Sequence, residues 1–567
     1  MMEVFEGKVL LKSLIKRFRK VEEDSYELRG TLTDDEMSAL RLALNVLSSE
    51  EPSVTVEKQA TFELDSSNRT IDDTPKTQVE DQDSPSIEID LSVLDLPEAS
   101  EGHRLCLDFG TAMSKVTLVR DTSGGSDFEE IEVLTLGIPG DQEEISETML
   151  ISSVFIDQEG YLWFGKSAVD RSRLEKDGRQ RLDNIKRYLS EEGFSSIVSE
   201  RFNPTSYSVT YGDMILANLM YLTWTANQCL AELGEPKNVI RRYAMPCLEL
   251  SKSRDTAQLL GSMLGEAQIL ADTFSNSMQD GIPINKFVEI VYAIREKRLN
   301  YPFIAEDITE PLGVAGSLIS WTKSVNSLVM VIDVGAGTSD FSVFRMRYDE
   351  NTKVSTALEV ADSNEGITEA GNHLDNLLKG FILSKSEVDH THEHWLNVLG
   401  NLELDLRDHK ERLFLSGEVS VRLFTDELVT VTIDEFLALE QVKSFGRSLT
   451  ECRDRILSRI DSSFTNGAPN GALGIALTGG GAELPMVKEL AKGSVYVRGK
   501  ELQLARAPAF PLWLQEEYPD LEEDYPRIAV SLGGAREKII ERNGVANVTA
   551  GDVRTTPRLE GYYTRGQ

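Results

Sequence analysis

The sequence predicts an α/β protein, and three observations predict it. Apolar, β-rich runs at 105–109, 116–119, 239–245, 328–334, 341–346 and 473–478 alternate with stretches of helical periodicity, the pattern of sheets covered by helices. One strand–turn–strand unit occurs twice, as LCLDFGTAMSKVTL at 105–118 and MVIDVGAGTSDFSVF at 330–344. Hydrophobic residues make up 40% of 567, enough for a large core and too many residues for one ordinary domain.

The first element is a small N-terminal module over 1–50. Val9, Leu11, Leu14, Ile15 and Phe18 recur at helical spacing, with lysines and arginines from Lys8 to Lys20 around them. This reads either as a basic amphipathic helix for a partner or membrane surface, or as a solvated helix packing on a second one, DDEMSALRLALNVL, capped by Thr33. The second reading is the plainer, because charged helix faces are usually only solvated.

Residues 51–102 follow, with 3 basic against 14 acidic side chains and no apolar period. They read as a disordered acidic linker. A short apolar patch from Ile87 to Leu96 has the composition to dock, on a surface the sequence does not specify.

The whole chain carries 94 Asp and Glu against 59 Lys and Arg, a net of −35. That excludes a nucleic-acid backbone or an anionic membrane as the default partner. No run of about 18 apolar residues suggests a transmembrane helix, and the N-terminus lacks the apolar core of a secretory signal. Cys106, Cys229, Cys247 and Cys452 are widely spaced and read as reduced thiols of a cytoplasmic protein.

From residue 103 the α/β pattern begins. In each repeated unit an apolar strand ends in an aspartate, a Gly/Thr turn follows, and a second apolar strand leaves it. Gly110, Gly335 and Gly337 permit a tight turn that brings bare N–H groups against phosphate oxygens. Thr111 and Thr338 add donors, and Asp108 and Asp333 are positioned to hold the waters of a hydrated Mg²⁺. One such hairpin is a common turn; two facing each other would clamp a triphosphate from both sides. A third Gly-rich stretch, GIALTGGGAELPMVKELA at 474–491, follows a buried strand with Gly479, Gly480 and Gly481, and would let the backbone approach a base and ribose.

Three elements in this order resemble the actin, sugar-kinase and heat-shock chaperone ATPase superfamily, and within it the ATPase domain of the DnaK-like, seventy-kilodalton heat-shock chaperones. NIKRYL at 184–189 is similar to the family motif that carries the catalytic lysine, here Lys186. NVIRRYAMPCLEL ends in a family-like Pro turn at Pro246, and ITEPLGVAGSLI resembles the Glu-Pro connecting helix, with Glu310 standing 23 residues before Asp333. EAGNHLDNLLKGFI contains Gly371 at the family's glycine turn, and AVSLGGARE resembles the closing helix.

The resemblance covers about 103–540. It implies a bilobal actin-like fold of two ribonuclease-H-like subdomains and two smaller lobes, lobe I from 103–325 with 511–540 and lobe II from 326–510. It also implies ATP and Mg²⁺ as ligands and slow ATP hydrolysis that drives lobe rotation. Lys186, Glu310, Asp333 and Asp340 would be catalytic. Asp108, Gly110, Thr111, Ala112, Gly335, Gly337, Thr338, Gly371, Lys410, Gly479 and Gly480 would contact nucleotide, with Asp108 and Asp333 holding Mg²⁺ through water.

Some residues depart from the family. Ala336 stands at a usual glycine, and Glu483 at a base-stacking arginine. Arg407 and Glu411 are swapped in sign around Lys410, which resembles the ribose-contacting lysine, and Phe414 is open to a stacking or a core role. Residues 274–307, including KFVEIVYAIREKRL, look inserted and would form a partner surface.

Outside the family pattern lies DHTHEHW, with His390 and His394 at a helical metal-site spacing beside His392, Asp389 and Glu393. Its polar setting favours a solvated loop. Only 27 residues follow Ile540, too few for the family's peptide-binding domain and lid, so the expected output is a nucleotide-switched protein acting through a partner, bound by 1–100 or 274–307, with a J-type co-chaperone as one candidate. The alternatives are an actin-like filament or scaffold protein and a small-molecule kinase.

Overall fold

Strands that read as unbroken apolar runs become strands buried on both faces. A computed structural model of the chain describes residues 18–22, 25–28, 88–122, 129–137, 147–175, 180–190, 193–248, 250–352, 355–537 and 540–544. The chain divides between Ser84 and Pro85 into two units.

In the first unit the described residues form an antiparallel hairpin, Phe18–Glu22 paired with Ser25–Leu28. Phe18, Arg19 and Lys20 are therefore in a strand, where the periodicity predicts the end of a helix. The remainder of both expected helices lies outside the described residues.

The second unit is a mixed α/β structure built on two sheets. The first orders its strands β5–β4–β1–β2–β3, with β1 His103–Asp108, β2 Met113–Asp121, β3 Glu129–Val133, β4 Ile240–Met245 and β5 Ile304–Thr309. The second orders β10–β9–β6–β7–β8, with β6 Val325–Val334, β7 Ser339–Tyr348, β8 Ser355–Val360, β9 Ala472–Thr478 and β10 Lys500–Arg506. Strand directions match one for one: two antiparallel pairings on one side of β1 or β6, two parallel pairings on the other. The sequence repeat is thus a structural repeat of a whole sheet, and all six apolar runs read from the sequence lie in strands. Glu541–Gly544 adds a parallel strand beside β8.

Alternation along each strand sends side chains to two cores. Leu105 and Leu107 of β1 join a core with α1 (Tyr211–Leu233) and α2 (Leu250–Thr273), whereas Cys106 faces the other way. In β6, Met330, Ile332 and Val334 face a core with α5 (Gly371–Lys385), α6 (Trp395–Ser416) and α7 (Glu440–Arg459), while Val329 and Val331 face the same central core as Cys106. That central core holds α4 (Glu310–Leu318) and α8 (Tyr525–Ala535), which cross each other. The crossing needs glycine: a Cβ at Gly533 would stand 1.8 Å from the carbonyl oxygen of Gly313.

Two expectations about boundaries change. The segment from residue 88 onward belongs to the second unit: Val93 is buried, Ile89, Leu91 and Leu94 pack against the first core, and Asp90 N–H donates to Thr273 Oγ1 at 3.1 Å. The apolar patch docks because it gains burial that the polar linker before it has no side chains to match. The stretch 284–297 of the insertion forms α3 (Ile284–Lys297), whose apolar face of Phe287, Ile290 and Ile294 is buried in that core, while Tyr292 on the same helix is exposed.

Candidate functional site

The strand register builds the site. Asp333 faces Asp340 across β6 and β7, and Asp108 faces Lys115 across β1 and β2, so each hairpin presents one cross-strand pair at its turn. By the two-residue alternation all four share the faces that the sheets turn toward the central core. The two turns nearly touch: a Cβ on Gly337 would lie 2.6 Å from Thr111 Oγ1. Between them is a crevice lined by Thr111, Lys186, Arg187, Gly337, Thr338 and Thr368, with a gap of about 20 Å³. That is room for about one water, not a phosphate chain, so a larger ligand requires the halves to part.

Lys186 Nζ donates to Glu310 Oε1 at 2.5 Å, and both side chains are buried. Lys186 precedes a short helical turn, and Glu310 opens α4 with Pro311 at the second helical position, where a proline has no needed N–H to lose. Burial alone would lower the lysine's pKa, but the charges of Glu310 and Asp108 outweigh it and hold the ammonium above the ordinary lysine value.

The carboxylates behave oppositely. Burial, then the charges of Glu310 and Asp340, pushes Asp333 well above the usual range. Asp340 is pushed up to about 7 by burial and then by Glu310. Asp340 Oδ1 accepts the Cys247 N–H at 2.6 Å, yet its Oδ2 is buried without a partner. Asp108 is met by Lys115 Nζ at 3.3 Å. The cleft thus gathers Asp108, Asp333, Asp340 and Glu310 around Lys186 and Lys115, more carboxyl groups than ammonium groups, a setting in which a cation would favour the ionised aspartates. Among the described residues no group of three ligating side chains converges on a bare metal ion. Asp108 and Asp333 are the carboxylates at the two strand ends that would hold a hydrated divalent cation through water.

Further site residues fall around this pair of turns. Gly371 N–H donates to Gly335 O at 3.0 Å and Asn372 N–H to Ala336 O at 2.8 Å, so the second turn is fastened to the start of α5. Lys410, on α6, donates to Gly371 O at 3.1 Å and pairs with Asp375 at 2.8 Å. Gly335 N–H bonds Thr338 O within the turn, and Ala112 O accepts Ser152 N–H at 2.9 Å beside Gly110. Gly479 follows β9 with φ 81°, and a side chain there would stand 2.3 Å from Asp333 Oδ1; Gly480 is next to it with open space around it.

Residues left open by the sequence now have positions. Glu483 is exposed and bound to Lys488 at 2.5 Å and Arg506 at 2.6 Å. Arg407 and Glu411 pair with each other on α6. Phe414 packs edge-on against Phe436 in the second core, which settles its role as packing. His390, His392 and His394 lie before α6 begins at Trp395, so the helical metal spacing does not apply.

Two features escaped sequence reasoning. One is Lys115, whose signal was its place across the hairpin from Asp108. The other is a clasp of residues 173–201 onto α6, with no local sequence signal. From the first half, Gln180 Nε2 donates to Glu403 at 2.7 Å, Arg201 to Glu403 at 2.8 Å, Arg181 to Leu404 O at 2.8 Å and Arg173 to Asp405 at 2.6 Å. The three acceptor residues, Glu403, Leu404 and Asp405, lie on α6, one or two turns before Lys410.

Among the described residues no helix is long and apolar enough to cross a membrane. No protein-family model matches the chain, and no curated protein matches it.

Proposed function

We propose that residues 103–540 are a bilobal, actin-like ATPase of DnaK-like type, with ribonuclease-H-like halves, that binds ATP with Mg²⁺, hydrolyses it slowly and acts as a switch on a protein partner. One observation carries the reading. Two hairpins 225 residues apart in sequence, counted from Asp108 to Asp333, bring Thr111 and Thr338 to one crevice, beside a buried Lys186–Glu310 pair. The duplicated sheets and the glycine-mediated crossing of α4 and α8 support two halves able to turn about one another.

Each residue has a role that its surroundings support. Thr111, Thr338 and the turn N–H groups of Gly110 and Gly337 bind phosphate oxygens, while Gly335, whose N–H is held by Thr338 O, shapes the turn. Lys186, kept charged by its carboxylate neighbours, neutralises charge growing on the terminal phosphate. Glu310 and Asp340 orient the attacking water and accept its proton. Gly371, Lys410, Gly479 and Gly480 face the ribose and base. When bound, Mg²⁺ supplies positive charge to the phosphates.

A kinase would need an acceptor, whereas this arrangement favours water. The four free thiols among the described residues suit a cytoplasmic setting. A protein partner, a J-type co-chaperone among the candidates, would read the lobe rotation.

The test is phosphate release from ATP and Mg²⁺ with no acceptor added. Wild type is expected to release phosphate and Asp333→Asn to lose most of that release. Equal release by both would overturn the reading.

A further inference from the structure

A groove of about 590 Å³ runs between α7 and the one-turn helix Pro485–Lys488, and it shares no lining residue with the crevice. Lys443, Gly446, Arg447 and Thr450 stand at i, i+3, i+4 and i+7 of α7, so one face of that helix makes the long wall. Its opposite face, with Phe445, Leu449 and Ile456, is buried in the second core, and Val487 anchors the short wall in the same core. The floor is apolar, with Leu437 and Val442 on one side and Met486 on the other. Glycine is unfavourable inside a helix, but a Cβ on Gly446 would stand 3.1 Å from Met486 Cβ, so only glycine lets the walls meet at the floor and leaves the space above it empty.

The rim has two ends of opposite charge. Lys443 and Arg447 lie at one end, and Glu451 follows eight residues after Lys443, about 12 Å along the helix. Met486 is level with Gly446, and Leu490 O accepts from Arg453 Nη1 at 3.0 Å, so the walls run side by side and Glu489 falls at the Glu451 end. Lys443 is exposed and meets no carboxylate among the described residues. Arg447 holds Glu440 at 2.7 Å with both side chains more than half exposed, a pair that exchanges at little cost. The stretch 440–506 carries 10 basic against 7 acidic side chains in a chain of net −35, so an acidic group is drawn to this surface while the chain as a whole repels it.

We propose that this groove docks one amphipathic helix of a protein partner, with an acidic residue over Lys443 and Arg447, a basic residue over Glu451 and Glu489, and an apolar stripe of two turns between them. The spacing selects a helix: the two charged ends of the groove are as far apart as two turns of an occupant, whose anchors at i, i+3, i+4 and i+7 fill the floor. Met486 suits that role, because an unbranched thioether adapts to the side chains presented to it. Both walls are already held by the second core, so docking orders little on this side. The inference does not depend on the nucleotide reading.

The experiment is fluorescence anisotropy of the full chain with stapled helical peptides of about 14 residues. All share a Leu stripe at i, i+3, i+4 and i+7 and differ at their two ends: Glu and Lys, Glu and Glu, or Lys and Lys. At low salt the Glu–Lys peptide is expected to bind wild type about fivefold more tightly than either of the others. Lys443→Glu alters an exposed side chain and is expected to keep the wild-type melting temperature, to weaken the Glu–Lys peptide about fivefold and to make Lys–Lys the tightest of the three. Gly446→Leu, its fold checked by circular dichroism, fills the floor and is expected to abolish binding. No binding of the Glu–Lys peptide to wild type, equal binding of the three peptides, or an order that Lys443→Glu leaves unchanged would each overturn the inference. A wild-type dimer in sedimentation that Gly446→Leu abolishes would give the groove to a second copy of the chain and would overturn it equally.

Discussion

Glu403 is the residue on which the clasp depends most, and Glu403→Ala is the cleanest way to open the crevice without touching its floor. Its carboxylate takes Gln180 and Arg201 from the far side of the cleft and Lys379 from its own side. The Arg201 pair is open to solvent, 46% and 28% exposed, so it contributes about 0–1 kcal/mol. The Gln180 bond to an ionised acceptor is partly buried and contributes about 1.5 kcal/mol. Part of both is recovered by hydration when the cleft opens, leaving a loss of about 1–2 kcal/mol from the closed state, or roughly 5–30-fold in the closing equilibrium. The assay is stopped-flow release of a fluorescent ATP analogue from preloaded protein. Release is expected to accelerate by that factor with the melting temperature nearly unchanged. Release within twofold of wild type would refute the argument that the clasp holds the crevice shut. The pH sign is set by the direction of the shift. Burial works to raise the Glu403 pKa, but Lys379, Gln180 and Arg201 outweigh it, so it is lowered. The clasp is therefore intact above the ordinary glutamate range and lost as pH falls below it, and near neutrality only added salt should mimic the mutation.

Further outcomes follow from the same geometry. Lys186→Met paired with Glu310→Gln, which avoids stranding a buried carboxylate, should cut single-turnover hydrolysis by about 100-fold or more while ATP affinity, read by calorimetry, changes far less. Asp340 has its pKa raised in the fold, so its contribution to stability is present below the ordinary aspartate value and is lost as pH rises toward about 7. The melting temperature of ligand-free protein should thus carry a downward slope with pH over that window that Asp340→Asn removes. Gly533→Val should destabilise by about 3 kcal/mol or more, seen as a lowered urea midpoint, because the side chain has only the Gly313 backbone to enter. Val93→Asp should release the docked segment and expose residues 88–97 to limited proteolysis with the melting of the rest little altered.

Much of this architecture was legible in the chain because it is local. An apolar run ending in Asp-x-Gly, with Thr closing the turn, specifies strand and turn through backbone sterics alone, and Asp108 and Asp333 were found that way. The N-terminal strand over 18–22 was not, since a basic apolar stretch fits a helical period and a hairpin alike. Phe414, Glu483 and the histidines at 390–394 show the same limit: each residue type suits several environments, and only its neighbours decide which it has. The clasp joins residues about 200 positions apart on elements that meet through folding, so no spacing announces it.

By itself, then, the sequence determined the strands, the twin turns and the carboxylates at their ends, because those follow from alternation, glycine and short-range hydrogen bonding. Only the tertiary structure decided that the turns face one another, that Lys186 is paired with Glu310, that Lys115 stands where its counterpart is Asp340, and that α6 is clasped by residues 173–201. Those are matters of long-range burial and charge, set by how two repeated sheets pack on the crossing of α4 and α8.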